Sequence, residues 1–169
     1  MDDEDIVDGI INNDHNCFRE LYTKYFSKLT LYSIYRLHSI EIAQDLVQDL
    51  FVKVWINRHN LDRNKSIKAY LYKSLINMMI SLKRLHSFSN LSLDSTSLKL
   101  HHFEEVDLNR LIDVRMSVDR LPGKLKAVFE LSRIEGFSYK EIAEICGISV
   151  KAVEKRMSKV FVILRKKLS

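Results

Sequence analysis

The sequence has little of the residues that interrupt helices. It contains one proline and four glycines among 169 residues, and 46% of its residues are hydrophobic. Because proline and glycine break helices, their scarcity predicts an all-α fold. No apolar run approaches the length of a membrane span, and the acidic start MDDEDIVDGI lacks the pattern of a signal peptide. We therefore expect a cytoplasmic protein without direct membrane insertion.

Residues with reactive chemistry are also scarce. Cys17 and Cys146 are isolated, and each lies on an apolar helical face, so we expect both to be reduced core residues. His101 and His102 are adjacent, which is poor spacing for metal ligands, and no cysteine lies nearby. The chain has no glycine-rich phosphate loop, metal-ligand cluster or nucleophile motif. We expect no metal, no cofactor, no small-molecule substrate and no enzyme activity.

Charge alternates in sign along the chain, although the net charge is only +5. Residues 1–50 carry 4 basic and 10 acidic side chains (net −6), and residues 51–88 carry 8 and 1 (net +7). Residues 89–108 carry 1 and 4 (net −3), and residues 109–169 carry 14 and 7 (net +7). Two basic blocks separated by an acidic, serine-rich segment suggest two nucleic-acid contacts. We predict two small helical domains joined by a flexible linker at residues 89–108.

The stretch FSYKEIAEICGISVKAVEKRMSKV near the carboxyl end predicts a helix–turn–helix. Ser138 and Glu141 form a capping box at the first helix start, and Gly147 suits the left-handed residue that ends this helix. Ser149 caps the second helix eleven residues after the first cap. The first turn of the second helix has no carboxylate, which favours a phosphate there.

The second helix has two contrasting sides. The side expected to be buried carries Val150, Val153, Met157, Val160 and Leu164. The opposite side carries Lys151, Ala152, Glu154, Lys155, Ser158 and Lys159. Short and cationic side chains on a helix front suit the major groove of DNA, whereas the alternative is an ordinary amphipathic helix with a solvated face. Glu154 either accepts from a cytosine amino group or is a solvated i,i+4 partner of Ser158.

Two helices are predicted in the first half of the amino-terminal domain. One runs from Cys17 to about Leu37, and the next lies in SIEIAQDLVQDLFVKVWINRH. The polar face of this second helix carries Asp45, Gln48, Asp49 and Val52, and Trp55 ends the pattern. Paired acids with a glutamine suit a basic protein partner, and the alternative is a core helix with a wet face.

A polar stretch, NRHNLDRNKS, then leads into a third helix, IKAYLYKSLINMMISLKRLH. Its buried side is expected to carry Ile67, Tyr70 or Leu71, Leu75, Met78, Met79 and Leu82. The remaining polar and basic residues are Lys68, Tyr72, Lys73, Asn77, Ser81, Lys83 and Arg84. A basic loop followed by a helix with tyrosines suits single-stranded nucleic acid, and the alternative is a plain surface helix.

The order of these parts resembles the extracytoplasmic-function (ECF) sigma factors, the small two-domain branch of the sigma-70 family of bacterial transcription initiation factors. CFRELYTKYF is similar to the opening of the first conserved region, and AQDLVQDLFVKVW to the segment that docks on core RNA polymerase. KAYLYKSLINMMISLKR is similar to the helix bordering the −10 promoter element. DRLPGKLKAVFELSRIEGFSYKEIAEICGISVKAVEKRMSKVFVILRKKL is similar to the −35-reading domain.

The resemblance implies a function for each part. Residues 1–88 would form the region 2 domain, residues 89–108 a linker threading toward the RNA exit channel, and residues 109–169 the region 4 domain. Core RNA polymerase and promoter DNA would be the partners, and a membrane-bound anti-sigma factor is the family's common inhibitor. Tyr70 stands where the family usually has tryptophan, and only Lys83 and Arg84 supply the basic end of the −10 helix.

The resemblance also implies three sets of contact residues. Those facing the clamp helices of the largest polymerase subunit are Asp45, Gln48, Asp49, Val52 and Trp55. Those taking a flipped −10 base, or lying near the melted strand, are Asn60, Leu61, Asp62, Arg63, Asn64, Lys65, Ser66, Tyr70, Lys73 and Asn77. Those facing the −35 duplex are Ser149, Lys151, Ala152, Glu154, Lys155, Ser158 and Lys159.

Two other functions fit parts of the sequence. A stand-alone helix–turn–helix regulator would need a sensing or dimerising amino-terminal domain, and residues 1–88 contain no clear ligand pocket, phospho-acceptor or dimer helix. An RNA-binding adaptor that uses both basic blocks would lack the aromatic-rich sheet or glycine loop of the known modules. The sigma factor is therefore the main hypothesis.

Overall fold

The computed structural model describes residues 2–89 and 118–168, which are helical with connecting turns and contain no strand. The chain divides into two compact units, and each is described by itself. The predicted linker lies outside the described residues except for Ser89, which ends a helix. The predicted domain boundaries stay predictions, and the adjacent histidines of the linker also lie outside the described residues.

Over residues 2–89, the first unit contains four α-helices and a short 3-10 helix. They are α1 (Asp3–Ile11), α2 (His15–Leu37), α3 (Ile40–Ile56), the 3-10 helix Arg58–Asn60 and α4 (Ile67–Ser89). Helix α2 packs most extensively on α3, α1 packs on α2, and α4 packs on both α2 and α3. The three helices predicted from the sequence in this half of the chain are confirmed, whereas α1 was not predicted.

Side-chain caps determine where these helices begin. Asp2 caps α1, Asp14 caps α2, Ser39 caps α3, and the Ser66 hydroxyl accepts from the Ala69 amide in the first turn of α4. The Asp14 carboxylate accepts from the Asn16 amide at 2.7 Å, and this bond is the main cause that lowers the pKa of Asp14 below its ordinary value. The capping residues therefore explain the element boundaries locally.

The core of the first unit contains most of the predicted buried side of α4, although Met78 and Leu82 are only half-buried. Leu21 and Leu29 of α2 and Val47 and Leu50 of α3 are also buried. Tyr72, however, was predicted among the polar residues of α4 and is completely buried. Helix α4 packs on α1, α2 and α3, so a wider arc of its surface is covered than a single partner would cover.

The alternative between Tyr70 and Leu71 is also settled. Leu71 is completely buried, whereas Tyr70 is 38% exposed. The neighbouring Tyr72 ring packs edge-to-face on Tyr32, with the two centroids 5.3 Å apart. Tyr70 is therefore the tyrosine of α4 that reaches solvent.

Helix α1 is anchored to α2 by apolar and polar contacts. Its Ile6, Val7 and Ile10 are buried. Asp3 accepts from Lys24 at 2.8 Å and from the Tyr25 hydroxyl at 2.6 Å. Burial, together with the bond to Asp3, raises the pKa of Tyr25 well above its usual value, so this phenol stays neutral. The contacts attach α1 firmly to the rest of the unit.

The second unit contains α5 (Gly123–Arg133), α6 (Tyr139–Cys146) and α7 (Val150–Leu168). Helices α5 and α6 both pack on α7. Val128 and Leu131 of α5 and Ile142 of α6 are completely buried. On α7, the predicted apolar stripe is buried from Val153 to Leu164, but its first member, Val150, is 40% exposed. Val150 begins α7, so no earlier turn of that helix shields it.

Candidate nucleic-acid and polymerase interfaces

The helix–turn–helix has the local geometry that its sequence predicts. The Ser138 hydroxyl accepts from the Glu141 amide, and the Glu141 carboxylate accepts from the Ser138 amide at 2.9 Å, which completes the capping box. Gly147 ends α6 in the left-handed conformation, with φ of 64°. The Ser149 hydroxyl accepts from the Ala152 amide at 3.2 Å and starts α7. The predicted caps and turn are confirmed.

The front of α7 is open to solvent. Its exposed residues are Lys151, Glu154, Lys155, Ser158 and Lys159, and Ala152 is half-buried. The first turn of α7 contains no acidic residue. Within the described residues, no ion pair neutralises the lysines of this front, and no hydrogen bond joins Glu154 to Ser158. The front is therefore a cationic surface with a single carboxylate, and all its charges are available to a ligand.

A second exposed surface lies on α3. Asp45, Gln48, Asp49 and Val52 all face solvent, and Val52 is 56% exposed. One turn further on, Ile56 is 65% exposed and continues the same stripe. Ile56 was not predicted to belong to this surface, although its four-residue spacing from Val52 places both side chains on one face of the helix. The result is a stripe with acids and an amide at one end and two apolar side chains at the other.

Trp55 borders this stripe but is held mainly by its own unit. Its ring centroid lies 4.6 Å from that of His15 and 5.0 Å from that of Phe18. The Arg58 guanidinium lies 4.6 Å from the same ring and donates to the Trp55 carbonyl at 2.7 Å. The half-buried indole therefore joins the end of α3 to the start of α2 and to the 3-10 helix. Its contact with a partner stays a prediction.

The loop from Asn60 to Ser66 has defined local structure. Asp62 accepts from the Asn64 amide through its carboxylate and from the Lys65 amide through its carbonyl, both at 3.0 Å. The bond to Asn64 is the main cause that lowers the pKa of Asp62, and the Lys65 ammonium lies 3.5 Å from the same carboxylate. The loop is therefore a capped turn whose basic side chains reach solvent.

A cleft of 260 Å³ lies between this loop and the start of α1. Its lining residues are Asp3, Glu4, Arg63, Asn64, Lys65, Ser66 and Ile67. Tyr70, Lys73 and Asn77 continue from the loop along the exposed surface of α4 at spacings of three and four residues. The cleft thus brings together Arg63, Asn64, Lys65 and Ser66 of the predicted loop set, whereas Asn60, Leu61 and Asp62 do not line it. Asp3 and Glu4 of α1 form a wall that was not predicted.

In the described ranges 2–89 and 118–168, no group of three or more His, Cys, Asp or Glu side chains is placed to hold a metal ion. No described helix is both long enough and apolar enough to cross a membrane.

Comparison with known protein families identifies the class of the chain. The model described as "Sigma-70 region 2" matches residues 21–88, and the model described as "Sigma-70, region 4" matches residues 111–161. Together these matches span most of the chain. The region 2 match includes the exposed surface of α3, and the region 4 match includes the exposed front of α7. The chain belongs to the sigma-70 family of RNA polymerase sigma factors.

Curated relatives place it in the ECF group of that family. RNA polymerase sigma factor SigZ of Bacillus subtilis strain 168 is 27% identical over 146 residues, which cover 83% of this chain and 80% of SigZ. ECF RNA polymerase sigma factor SigW of the same organism is 24% identical over 179 aligned positions, covering 96% of this chain and 94% of SigW. Both matches extend over nearly the whole of each protein.

A solved structure has the same fold. The sigma factor RpoE of Bartonella quintana, crystallised in complex with the anti-sigma factor NepR, matches with a TM-score of 0.75 and 23% identity. The match covers 89% of this chain and 96% of RpoE. The all-helical fold is thus confirmed by comparison.

Proposed function

We propose that this protein binds core RNA polymerase and directs transcription initiation at promoters with paired −35 and −10 elements. The observation that carries the proposal is that both family regions occur in one chain and that each presents its predicted contact residues to solvent. A stand-alone regulator would not need the exposed stripe on α3 or the structured loop before α4. As a polymerase subunit, the chain acts in the cytoplasm and has no catalytic activity of its own.

The stripe on α3 is the proposed polymerase contact. Asp45, Gln48 and Asp49 offer charge and hydrogen-bond acceptors, while Val52 and Ile56 offer apolar area that is exposed in the free chain. A protein interface typically combines an apolar centre with a polar rim, and complementary charges speed the encounter. A partner with basic side chains around an apolar patch therefore fits this stripe. Trp55 contributes through the edge of its ring that remains exposed.

The cleft beside the Asn60–Ser66 loop is the proposed site for an unstacked base of the −10 element. Single-stranded recognition combines cations along the backbone with pockets or rings that take individual bases. Arg63 and Lys65 supply cations at the cleft, and Asn64 and Ser66 supply donors and acceptors for a base edge. On α4, Tyr70 supplies an exposed ring. Lys73 and Asn77 lie further along the same exposed surface, where the melted DNA strand is proposed to run.

The front of α7 is the proposed −35 reader. Lys151, Lys155 and Lys159 provide phosphate contacts, and Ser149, Ala152 and Ser158 are short enough to let the helix approach base edges. Glu154 has a different role, because an acid among cations weakens binding to the DNA backbone. Its unpaired carboxylate suits the amino group of a cytosine, a contact worth about 1–3 kcal/mol of discrimination. We therefore infer that Glu154 reads a base.

A protein inhibitor is the proposed regulator. The Bartonella relative with the same fold is bound to an anti-sigma factor in its crystal structure. An inhibitor of this chain would act most directly by covering the apolar end of the α3 stripe, because Val52 and Ile56 are exposed in the free protein.

The deciding experiment mixes the purified chain with bacterial core RNA polymerase and a supercoiled promoter library. Transcription starts that depend on the chain and share spaced −35 and −10 motifs would support the proposal. An Asp49→Lys variant is expected to lose core binding, whereas Glu20→Lys makes the same charge change on α2, outside the stripe, and is expected to retain it. If the chain does not bind core polymerase but shifts the gel mobility of duplex DNA by itself, it is instead a stand-alone regulator.

A further inference from the structure

Two side chains outside the proposed −10 loop contact two arginines of this region, one in the middle of the loop and one two residues before it. Asp8 of α1 forms an ion pair with Arg63, with 3.3 Å between carboxylate oxygen and guanidinium nitrogen. Asn13, in the turn between α1 and α2, accepts from the Arg58 guanidinium at 2.5 Å. Both contacts join residues that are far apart in sequence. The first contact joins α1 to the loop that the resemblance assigns to DNA, and the second joins the turn after α1 to the 3-10 helix that precedes this loop.

The backbone around Asn13 is arranged for this role. Asn13 has a φ of 65°, a left-handed conformation that asparagine tolerates better than most residues. The backbone N–H of Asn13 donates to the Ile10 carbonyl, and this bond ties the turn to the end of α1. The amide side chain is thus presented by a rigid turn, and Arg58, its partner, is fixed a second time by the Trp55 ring and carbonyl.

Arg63, in the middle of the loop, is held less rigidly than Arg58. The Arg63 side chain is 61% exposed and that of Asp8 is 38% exposed, so solvent screens this pair. Within the loop, the Asp62 turn fixes the backbone on either side of Arg63. The Asp8 carboxylate therefore sets mainly the direction of the arginine side chain along the wall of the cleft, where Asp3 and Glu4 of α1 also lie.

We propose that α1 is a positioning element for the −10 contact, in which Asp8 and Asn13 hold Arg63 and Arg58 in the arrangement that receives DNA. The inference rests on the proposed function of the loop. A loop that is ordered before binding loses less conformational entropy when its ligand arrives. Neither residue touches DNA in this account; both act through the arginine they hold.

The charge of Asp8 makes the proposal testable, because two effects of its removal have opposite signs. Asp8→Asn deletes a negative charge near the DNA path, which by itself strengthens binding to phosphates. If Asp8 positions Arg63, the same change weakens recognition of the −10 element. Asp5→Asn is the matched control: it removes the same charge from the same helix, and within the described residues no ion pair joins Asp5 to the loop.

Asn13→Gly tests the contact with Arg58, which lies just before the loop. Glycine adopts the left-handed backbone without cost but has no side-chain acceptor for Arg58. The turn between α1 and α2 is therefore expected to survive the substitution. Any loss of function in this variant comes from the missing amide rather than from a strained backbone.

The first measurement is open-complex formation by the holoenzyme on a promoter selected from the library, with its −10 element intact or scrambled. Asp8→Asn and Asn13→Gly are each expected to slow the reaction on the intact promoter by about two- to fivefold, the size typical of one exposed polar contact. Affinity for core polymerase is expected to stay at the wild-type value. Asp5→Asn is expected to react at least as fast as the wild type.

The second measurement needs no polymerase. Amide hydrogen exchange at Asn64 and Lys65 is expected to accelerate in Asp8→Asn but not in Asp5→Asn, while exchange in α2 stays unchanged. Unchanged loop exchange, or an Asp8→Asn holoenzyme as active as Asp5→Asn, would overturn the positioning role. If the wild-type chain directs no transcription starts, both the proposed function and this inference are wrong. If the wild-type chain directs starts and the variants are equally active, only this inference is wrong.

Discussion

Replacing Gly9 with alanine is expected to destabilise the first unit, although alanine favours helices more than glycine does. Gly9 lies in α1 where this helix meets Cys17 of α2. A Cβ at Gly9 would overlap Cys17 Sγ and lie 2.8 Å from Cys17 Cβ. Rotation of the thiol relieves the first overlap. The second involves a Cβ, which moves only with the backbone of α2, so the two helices must separate.

The size of the effect follows from two opposing terms. Overpacking a close helix contact costs about 1–3 kcal/mol, whereas alanine recovers up to about 1 kcal/mol of helix propensity. The net expectation is a loss of about 1–2 kcal/mol in the free energy of unfolding of this unit. For a unit of this size, each kcal/mol lowers the melting temperature by roughly 4–8 °C.

Trp55 provides an assay for this unit alone. It is the only tryptophan of the chain, and its ring packs on His15 and Phe18 of α2. Its fluorescence during urea unfolding therefore reports the first unit. Gly123→Ala is the matched control, because a Cβ at Gly123 in α5 meets no atom within 4 Å. It should leave the Trp55 transition unchanged and raise the stability seen by circular dichroism slightly.

A Gly9→Ala variant that unfolds at the same urea concentration as the wild type, or a higher one, would refute the close approach of α1 to α2. The double variant Gly9→Ala/Cys17→Gly adds a second check, because it removes the Cβ that the alanine meets. The two substitutions should be less harmful together than the sum of their separate effects. Simple additivity would mean that the two positions do not touch.

Four further outcomes are expected. Ser33 is fully buried and its hydroxyl has no hydrogen-bond partner among the described residues, so Ser33→Ala should stabilise the first unit by about 1 kcal/mol in the same urea assay. A clear destabilisation would contradict this. Burial is the main cause that raises the pKa of the Cys17 thiol, so a disulfide reagent should modify it much more slowly than half-buried Cys146; equal rates would argue against the packing of α1. The lowered pKa of Asp62 means that its contribution to the loop is fully present above the ordinary value of 3.8 and is lost as the pH falls through the lower folded value. An NMR titration midpoint for Asp62 at or above 3.8 would be inconsistent with the capped turn. Glu154→Ala should change the preferred base at one −35 position, and unchanged preference at every position would remove its reading role.

The features predicted correctly from the sequence are those that depend on neighbouring residues. The capping box of Ser138 and Glu141, the left-handed Gly147 and the cap at Ser149 each involve partners within four residues. Such geometry is determined locally, so one sequence is enough to read it. The exposed faces of α3 and α7 followed from helical periodicity for the same reason.

The features that were missed depend on contacts between distant segments. Helix α1 has only a short apolar pattern within an acidic stretch, and its burial depends on how α2 accommodates it at Gly9. Tyr72 is buried because α4 has three packing partners, which periodicity in a single helix does not reveal. The contacts of Asp8 with Arg63 and of Asn13 with Arg58 likewise join segments that no local pattern connects.

On the proposed assignment of the two surfaces, the charge pattern of the first unit lets one small set of helices serve two partners. The α3 stripe carries Asp45 and Asp49, whereas the loop and the following part of α4 carry Arg63, Lys65 and Lys73. A DNA backbone is repelled by the first surface and attracted by the second, so the two partners cannot exchange places. The second unit needs only a modest affinity of its own for DNA. Once polymerase holds the chain at the promoter, each DNA contact raises the effective concentration of the other.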